Sequence, residues 1–219
     1  MTTPTVIFDV DGTLVDTNYH HAIAWFQAFG RHGVTVPVWR IHRAIGMGGD
    51  RLVSHVAGQE VEERVGDAVR AEWKRIFEPV LEQITAFEGA SELVADAKHR
   101  GWRVVLASSG DPKHLSHYLD LLGLWDVTDA VTSADDVEDT KPAPELLETA
   151  LDKVDGGPAV LIGDSTWDCV AARRAGLPCV ALRTGGFGYE ELREVGAVAV
   201  YETLGQLRAT LDELPFSSG

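Results

Sequence analysis

The hydrophobic positions of the chain fall into two patterns, and the places where one replaces the other predict its organisation. Short apolar runs occur at residues 5–8, 104–107, 159–162 and 179–182, with shorter ones near residues 131 and 198. From residue 89 onwards these runs alternate with stretches whose apolar residues recur at helical spacing. Near-continuous apolar strands that alternate with helices are typical of a parallel sheet covered on both faces.

The region between the first and second strands follows only the helical pattern. Residues 20–86 predict several helices and no strand, with Pro79 expected to kink or split the last of them. The first helix is predicted to bury one apolar face, formed by Ala22, Ile23, Trp25, Phe26 and Phe29. We therefore predict an α/β protein with a doubly wound, Rossmann-like parallel sheet at residues 1–16 and 88–219. An all-α cap domain is inserted at residues 17–87.

Composition narrows the classes of function. The 219 residues are 45% hydrophobic and 24% charged, which is typical of a soluble globular protein. A net charge of −15 argues against a nucleic-acid partner, because phosphate backbones require clustered Lys and Arg. No apolar stretch is long enough to span a membrane, and the N-terminus lacks the pattern of a secretion signal. Cys169 and Cys179 match no zinc or redox spacing, so we expect buried thiols and a cytoplasmic protein.

The first strand ends in two acidic residues, Asp9 and Asp11, followed by Gly12. Alternation along a strand would send the two side chains to opposite faces, so a turn must begin between them to bring both near one point. Two adjacent carboxylates repel each other unless a cation or a proton lies between them. A strand end made of ordinary turn-forming residues is the alternative, and this stretch alone does not decide between them.

Other strands also end in polar residues. Ser108 and Ser109 follow the second strand, Asp164 follows the strand at 159–162, and Lys141 lies in a loop after the short strand near 131. In a doubly wound sheet these ends open onto one crevice, where ligands bind. Carboxylate oxygens suit Mg²⁺, and Ser108 with neighbouring backbone N–H groups suits phosphate oxygens. Taken singly, each residue has an ordinary explanation as a helix cap or a solvated charge, but together they predict a site.

These residues resemble the haloacid dehalogenase-like hydrolase superfamily. Four short motifs of that superfamily occur in order: residues 9–13, the apolar strand ending in Ser108, Lys141-Pro142, and residues 163–168. The helical cap between the first two motifs resembles the subfamily of phosphoglycolate phosphatase and β-phosphoglucomutase. The resemblance covers nearly the whole chain.

The resemblance implies a role for each motif. Asp9 would attack phosphorus and form an aspartyl-phosphate, and Asp11 would act as general acid and then as general base. Mg²⁺ would be held by Asp9, the backbone carbonyl of Asp11, and Asp164. Lys141 and Ser108 would contact the phosphate. Asp168 would orient Lys141 or metal-bound water.

The remaining candidates for contact with phosphate or substrate come from both domains. They are Gly12 and Ser109 in the core, and His21, Gly46 and Met47 in the cap. Arg43 and Asp50 are further cap residues that could face the crevice.

The second acid favours phosphoryl transfer over dehalogenation, because an alkoxide needs a proton to leave and a halide does not. We expect a Mg²⁺-dependent phosphatase that acts on a small phosphorylated metabolite resembling phosphoglycolate or a sugar phosphate. We expect the protein to be a monomer or a dimer. A phosphomutase is the alternative. Gly49, however, occupies the position where the mutase-like pattern places a phosphate-binding arginine, and Arg51 lies two positions on. A phosphorylation-sensing receiver module is a more distant alternative, because receivers lack a helical cap.

Overall fold

The computed structural model describes residues 2–217 and contains one six-stranded parallel sheet. The strands lie in the order β3-β2-β1-β4-β5-β6, so the first strand is central and pairs with both β2 and β4. The predicted Rossmann-like α/β class is therefore confirmed. The strands are β1 Thr5–Phe8, β2 Arg103–Ala107, β3 Ala130–Thr132, β4 Ala159–Gly163, β5 Cys179–Leu182 and β6 Ala197–Tyr201.

Helices occupy both faces of the sheet and the segment after β1. The α-helices of the described residues are α1 Asn18–Arg31, α2 Val38–His42, α3 Gly49–Ala57, α4 Gln59–Phe77, α5 Ala90–His99, α6 Pro112–Leu122, α7 Glu145–Asp152, α8 Thr166–Arg174, α9 Tyr189–Glu194 and α10 Leu204–Ala209. No helix of residues 2–217 is long and apolar enough to cross a membrane.

Alternation along β1 explains why the sheet has two cores. Val6 and Phe8 belong to one apolar cluster, with residues of α5, α6 and α10. Ile7 belongs to the other, with residues of α7, α8 and α9. Because successive side chains point to opposite faces, a continuous apolar strand can serve both layers. Cys169 and Cys179 lie in the second core as free, buried thiols.

Helices α1 to α4 pack around a third apolar cluster that includes Trp25, Phe29 and Val69. The chain enters and leaves this helical block side by side, since Val15 forms an antiparallel bridge with Ala86. The interruption expected near Pro79 is present: α4 ends at Phe77 and a 3₁₀ helix, Glu78–Gln83, follows.

The predicted apolar face of α1 is wrong at two positions. Ala22, Trp25 and Phe29 are buried, whereas Ile23 is 50% and Phe26 44% exposed. The helix packs mainly against α4 and α2, and that contact is narrower than the apolar stripe of the sequence. A helix with neighbours on one side buries only the residues that face them.

This difference gives a stability test. Phe29→Ala removes a fully buried ring from the helical block, and we expect it to lower the free energy of unfolding by about 3–5 kcal/mol. Phe26→Ala, on the same helix, is the matched control and should change it by less than about 1 kcal/mol. Urea denaturation followed by circular dichroism measures both. Equal losses would contradict the assignment of the buried face.

Candidate active site

The turn after β1 brings both acidic residues to the carboxyl edge of the sheet. Gly12 has a φ of +77°, a conformation that side chains rarely adopt, and a Cβ there would lie 2.4 Å from Asn18 Nδ2. The Val10 carbonyl accepts hydrogen bonds from the Thr13 and Leu14 amides at 3.2 and 2.9 Å. The chain therefore turns tightly enough to hold Asp9 and Thr13 in contact, with the Thr13 hydroxyl 3.1 Å from Asp9 Oδ2.

Lys141 is buried and paired with two carboxylates. Its side chain is 1% exposed, and Nζ contacts Asp9 Oδ1 and lies 2.8 Å from Asp168 Oδ1. Asp168 also caps α8, because its Oδ2 accepts hydrogen bonds from Ser165 N at 3.0 Å and Ser165 Oγ at 2.6 Å. Asp168 thus fixes the lysine that contacts Asp9. The structure excludes the reading of Lys141 as a solvated loop charge.

Asp164 follows β4 and lies opposite Asp9. Its Oδ1 accepts a hydrogen bond from the Thr13 hydroxyl at 2.9 Å, and its Oδ2 accepts one from Asn18 Nδ2 at 2.7 Å. The backbone at Gly185 approaches so closely that a Cβ there would lie 1.6 Å from Asp164 Oδ2. Only glycine fits at that position.

These contacts leave an excess of negative charge in a buried space. Carboxylate oxygens of Asp9, Asp164 and Asp168 lie within 4.8 Å of one another, and Lys141 is the one lysine bound to the cluster. Burial raises the pKa of Asp9 to about 7, although Lys141 opposes the shift. Burial and the nearby Asp168 and Asp9 also raise the pKa of Asp164 well above its ordinary value. The attraction of Asp168 and Asp9 outweighs the effect of burial on Lys141, and its pKa is raised.

The donor set fits a hard divalent cation. The Thr13 hydroxyl lies between Asp9 and Asp164 but has one proton, so it can donate to only one of these carboxylates at a time. Both oxygen atoms of Asp168 are already bound, to Lys141 and to Ser165. Asp9 and Asp164 are therefore the carboxylates best placed to hold an ion, and oxygen donors suit Mg²⁺.

Asp11 lies outside the lysine cluster and contacts both the helical block and the edge of the sheet. Its Oδ1 is 3.0 Å from His21 Nε2 in α1, and its Oδ2 accepts a hydrogen bond from Ser108 Oγ at 3.0 Å. Burial raises the pKa of Asp11, but the hydrogen bond and attraction of His21 outweigh this, and the pKa lies below its ordinary value. Ser108 is therefore bound to Asp11 in this structure. The helix that follows is capped by Asp111 and not by Ser108.

A partly open cavity of about 70 Å³ lies between the sheet edge and the helical block. The structure brings His21, Gly46, Met47 and Ser109 to its wall, together with Asp9 and Asp11. Gly12 lies in the turn beside it, with its carbonyl bound by the Thr184 hydroxyl at 2.6 Å. The other residues that line the cavity are Trp25, Ile45, Gly49, Trp73, Gly110 and His114.

Two cap residues considered from the sequence do not line this cavity. Arg43 pairs with Glu191 at 3.2 Å, on the core side of the domain contact. Asp50 accepts a hydrogen bond from Thr140 Oγ1 at 2.6 Å, and Thr140 also accepts one from the Gly48 amide at 3.1 Å. The loop before α3 is thus bound to the residue that precedes Lys141.

Sequence reasoning missed several residues of the site. Thr13 and Asn18 were assigned no role, although both donate hydrogen bonds to Asp164. Trp25, which the sequence predicts in the apolar face of the first helix, also lines the cavity, as does Trp73 of α4. His114 was not singled out from the sequence. Its position in the first turn of α6, just after the polar end of β2, was the available indication.

The chain belongs to the haloacid dehalogenase-like hydrolase family, whose model matches residues 3–176. The crystal structure of a hydrolase from Pseudomonas syringae is similar, with a TM-score of 0.90, 32% identity, and coverage of 96% of this chain and 99% of that chain. "Probable phosphatase IndB" of Dickeya dadantii (strain 3937) is 31% identical over 211 residues, 93% of this chain and 91% of that protein. Phosphoglycolate phosphatase of Yersinia pseudotuberculosis is 30% identical over 198 residues, 85% of this chain and 83% of that protein. The family resemblance found in the motifs is confirmed.

The raised pKa of Asp9 predicts how stability varies with pH in EDTA. Between the ordinary value of 3.8 and about 7, folded Asp9 holds a proton that unfolded Asp9 has lost. Unfolding then releases protons, so the free energy of unfolding should fall as pH rises through this range. Asp9→Asn lacks the contribution of Asp9 to this loss. We therefore expect the free energy of unfolding of Asp9→Asn, relative to that of the wild type, to be higher at pH 8 than at pH 5 by about 1 kcal/mol or more.

Urea denaturation at the two pH values measures this difference. Asp126→Asn, at an exposed turn, keeps Asp9 and is the control. Its difference in stability from the wild type should be the same at pH 5 and pH 8. A wild type that becomes more stable relative to Asp9→Asn as pH rises would contradict the predicted sign.

Proposed function

We propose that this protein is a Mg²⁺-dependent phosphatase that hydrolyses a small phosphorylated metabolite through an aspartyl-phosphate on Asp9. The observation that carries the proposal is the buried Asp9–Lys141 pair beside Asp164, at the edge of a cavity that Asp11 also lines. A nucleophile, a cation site and a separate acid–base group are thus adjacent. The names of the similar proteins support a phosphatase.

Asp9 is the proposed nucleophile. One of its carboxylate oxygens forms a bond to phosphorus while the bond from phosphorus to the alcohol oxygen breaks. Lys141 favours the ionised form of Asp9 against the effect of burial. It is also placed to bind a phosphate oxygen, because its ammonium group carries three donors. Asp168 holds Lys141 in position from the first turn of α8.

Mg²⁺ would be held by Asp9, Asp164 and the backbone carbonyl of Asp11. When bound, it supplies positive charge that offsets repulsion between the nucleophile and the phosphate. Asn18 and Thr13 fix the orientation of Asp164 through their hydrogen bonds. This support from neighbouring side chains is typical of residues that ligate metals.

Asp11 is the proposed general acid and base. The first step needs the protonated form of Asp11, which the contact with His21 disfavours in the free protein. That form gives its proton to the departing alcohol oxygen, and in the second step the carboxylate accepts a proton from the water that attacks the aspartyl-phosphate. The bond between phosphorus and Asp9 then breaks, and inorganic phosphate leaves. His21 and Ser108 orient this carboxylate from opposite sides of the domain contact.

Hydrolysis is favoured over transfer of phosphate to a second site. A phosphomutase must hold a second phosphate, yet Arg51 pairs with Asp139 on the core and Gly49 supplies no side chain to the cavity. The helical block over the site and the hydrolase family both argue against a receiver module. We therefore retain hydrolysis as the proposed reaction.

The nucleophile and the metal can each be tested by removal. With a generic aryl phosphate and Mg²⁺, we expect Asp9→Asn to lower kcat to background, because an amide oxygen is a poor nucleophile. EDTA should abolish wild-type turnover, and added Mg²⁺ should restore it. Released phosphate is the readout. Turnover by purified Asp9→Asn, with contaminating phosphatase excluded, would contradict the proposal.

The acid–base role predicts a dependence on the leaving group. Asp11→Asn should lower kcat/KM for an alkyl phosphate by about 10²–10⁴-fold, because an alkoxide requires a proton. The loss should be smaller for an aryl phosphate, whose phenolate leaves more readily. Steady-state assays with both compounds measure the difference. Equal losses with the two substrates would assign Asp11 a role other than proton donor.

A further inference from the structure

The wall of the cavity lacks a cationic side chain for the leaving group. Among the described residues that line it, none is lysine or arginine. The side chains with polar groups are those of two aspartates, two histidines, two tryptophans and Ser109. His21 is bound to Asp11. Burial lowers the pKa of His114, so that ring is neutral near pH 7. Lys141 is bound by Asp9 and Asp168 at the reacting end of the site.

The basic residues nearest this cavity are committed to other partners. Arg70 donates to Glu62 at 2.6 Å and to Asp67 at 2.7 Å, and it also binds the Gly49 carbonyl at 3.2 Å. Lys74 pairs with Asp111 at 2.6 Å. Arg51 pairs with Asp139. Each positive charge is therefore neutralised outside the cavity.

The rest of the wall combines an aromatic surface with unpaired polar atoms. Trp25 and Trp73 stack with ring centroids 5.0 Å apart and planes at 12°. In residues 2–217, Trp73 Nε1 and His114 Nε2 are buried without a hydrogen-bond partner. Their rings lie 6.1 Å apart, one on the helical block and one on the core. A buried polar atom without a partner is unfavourable, and a rotation of either ring toward the cavity would let a ligand pair with it.

We propose that the leaving group of the substrate is a small uncharged polyhydroxy alcohol, and that Trp73 and His114 bind its hydroxyl groups. The proposal rests on the phosphatase function above and names the substrate class of that same site. A hydroxyl can accept from Trp73 Nε1 and can donate to or accept from neutral His114, whereas a carboxylate or a second phosphate would enter a cavity with no free cation. Burying such an anion unpaired is costly.

The size of the cavity agrees with this class. A volume of about 70 Å³ accommodates on the order of five water molecules. So small a space beside Asp9 and Asp11 favours a short leaving group. The stacked tryptophans supply an apolar surface for its carbon chain.

A panel of matched substrates tests the charge of the leaving group. Hydroxyethyl phosphate is compared with phosphoglycolate, and glycerol phosphate with phosphoglycerate, because each pair differs by a hydroxymethyl group against a carboxylate. We expect kcat/KM to be at least about 10-fold higher for the neutral member, which corresponds to about 1.4 kcal/mol. Equal or faster hydrolysis of the carboxylates would overturn the inference and leave the phosphatase function intact. Failure to hydrolyse any compound, an aryl phosphate included, would overturn both.

Gly49 offers a site for restoring a positive charge. A Cβ there would meet Trp25 at 3.4 Å and Arg70 at 3.7 Å, which are ordinary contacts. Gly49→Arg should lower the ratio of kcat/KM for the neutral substrate to kcat/KM for the carboxylate by about 5-fold or more. The uncharged control Gly49→Gln should leave this ratio unchanged. An unchanged ratio in folded Gly49→Arg would count against the inference.

Trp73→Phe tests the hydroxyl contact while keeping an aromatic ring. We expect kcat/KM for glycerol phosphate to fall about 10-fold, as for the loss of one buried hydrogen bond. Ethyl phosphate, which has no free hydroxyl group, should lose less than about 2-fold. Equal losses for both substrates would assign Trp73 a packing role only and overturn its part in recognition.

Discussion

The main constraint on this structure is that more acidic than basic groups are buried around Lys141. Carboxylates from the end of β1, the end of β4 and the first turn of α8 meet within 4.8 Å, and one lysine is bound to them. Charges repel more strongly in a buried space than in water, so this arrangement opposes folding unless it is compensated. Thr13, Asn18 and the cap of α8 compensate part of the cost. The remainder is what makes the site suited to a divalent cation.

The same site is completed by contacts between the two parts of the chain. His21 reaches Asp11 from the helical block, and Thr140 binds the loop before α3 immediately beside Lys141. Binding of the helices and placement of the reacting groups are therefore linked through short hydrogen bonds. The helical block contributes aromatic surface to the cavity, while its Arg51, Arg70 and Lys74 are paired with acidic residues elsewhere. In the proposed function, chemistry and selectivity therefore come from different parts of the chain.

Much of the fold could be predicted from local pattern. The strand predicted at 179–182 agrees with the structure at both ends, and the signals that bound helix α6 are also local. For the helix the reason is clear: Asp111 caps it, Pro112 begins it and Gly123 ends it in a left-handed conformation. The inward face of α1 was wrong at Ile23 and Phe26, because apolar spacing does not reveal how many neighbours a helix has.

The sequence by itself determined the chemical types at the strand ends, since alternation and strand order bring Asp9, Ser108 and Asp164 to one edge of a parallel sheet. Only the tertiary structure decided which groups touch. Asn18 and Asp164 are separated by 146 positions, and Ser108 and Asp11 by 97, so no local pattern can report these hydrogen bonds. The cavity wall was likewise hidden, because it forms only where helices α1 and α4 meet the edge of the sheet.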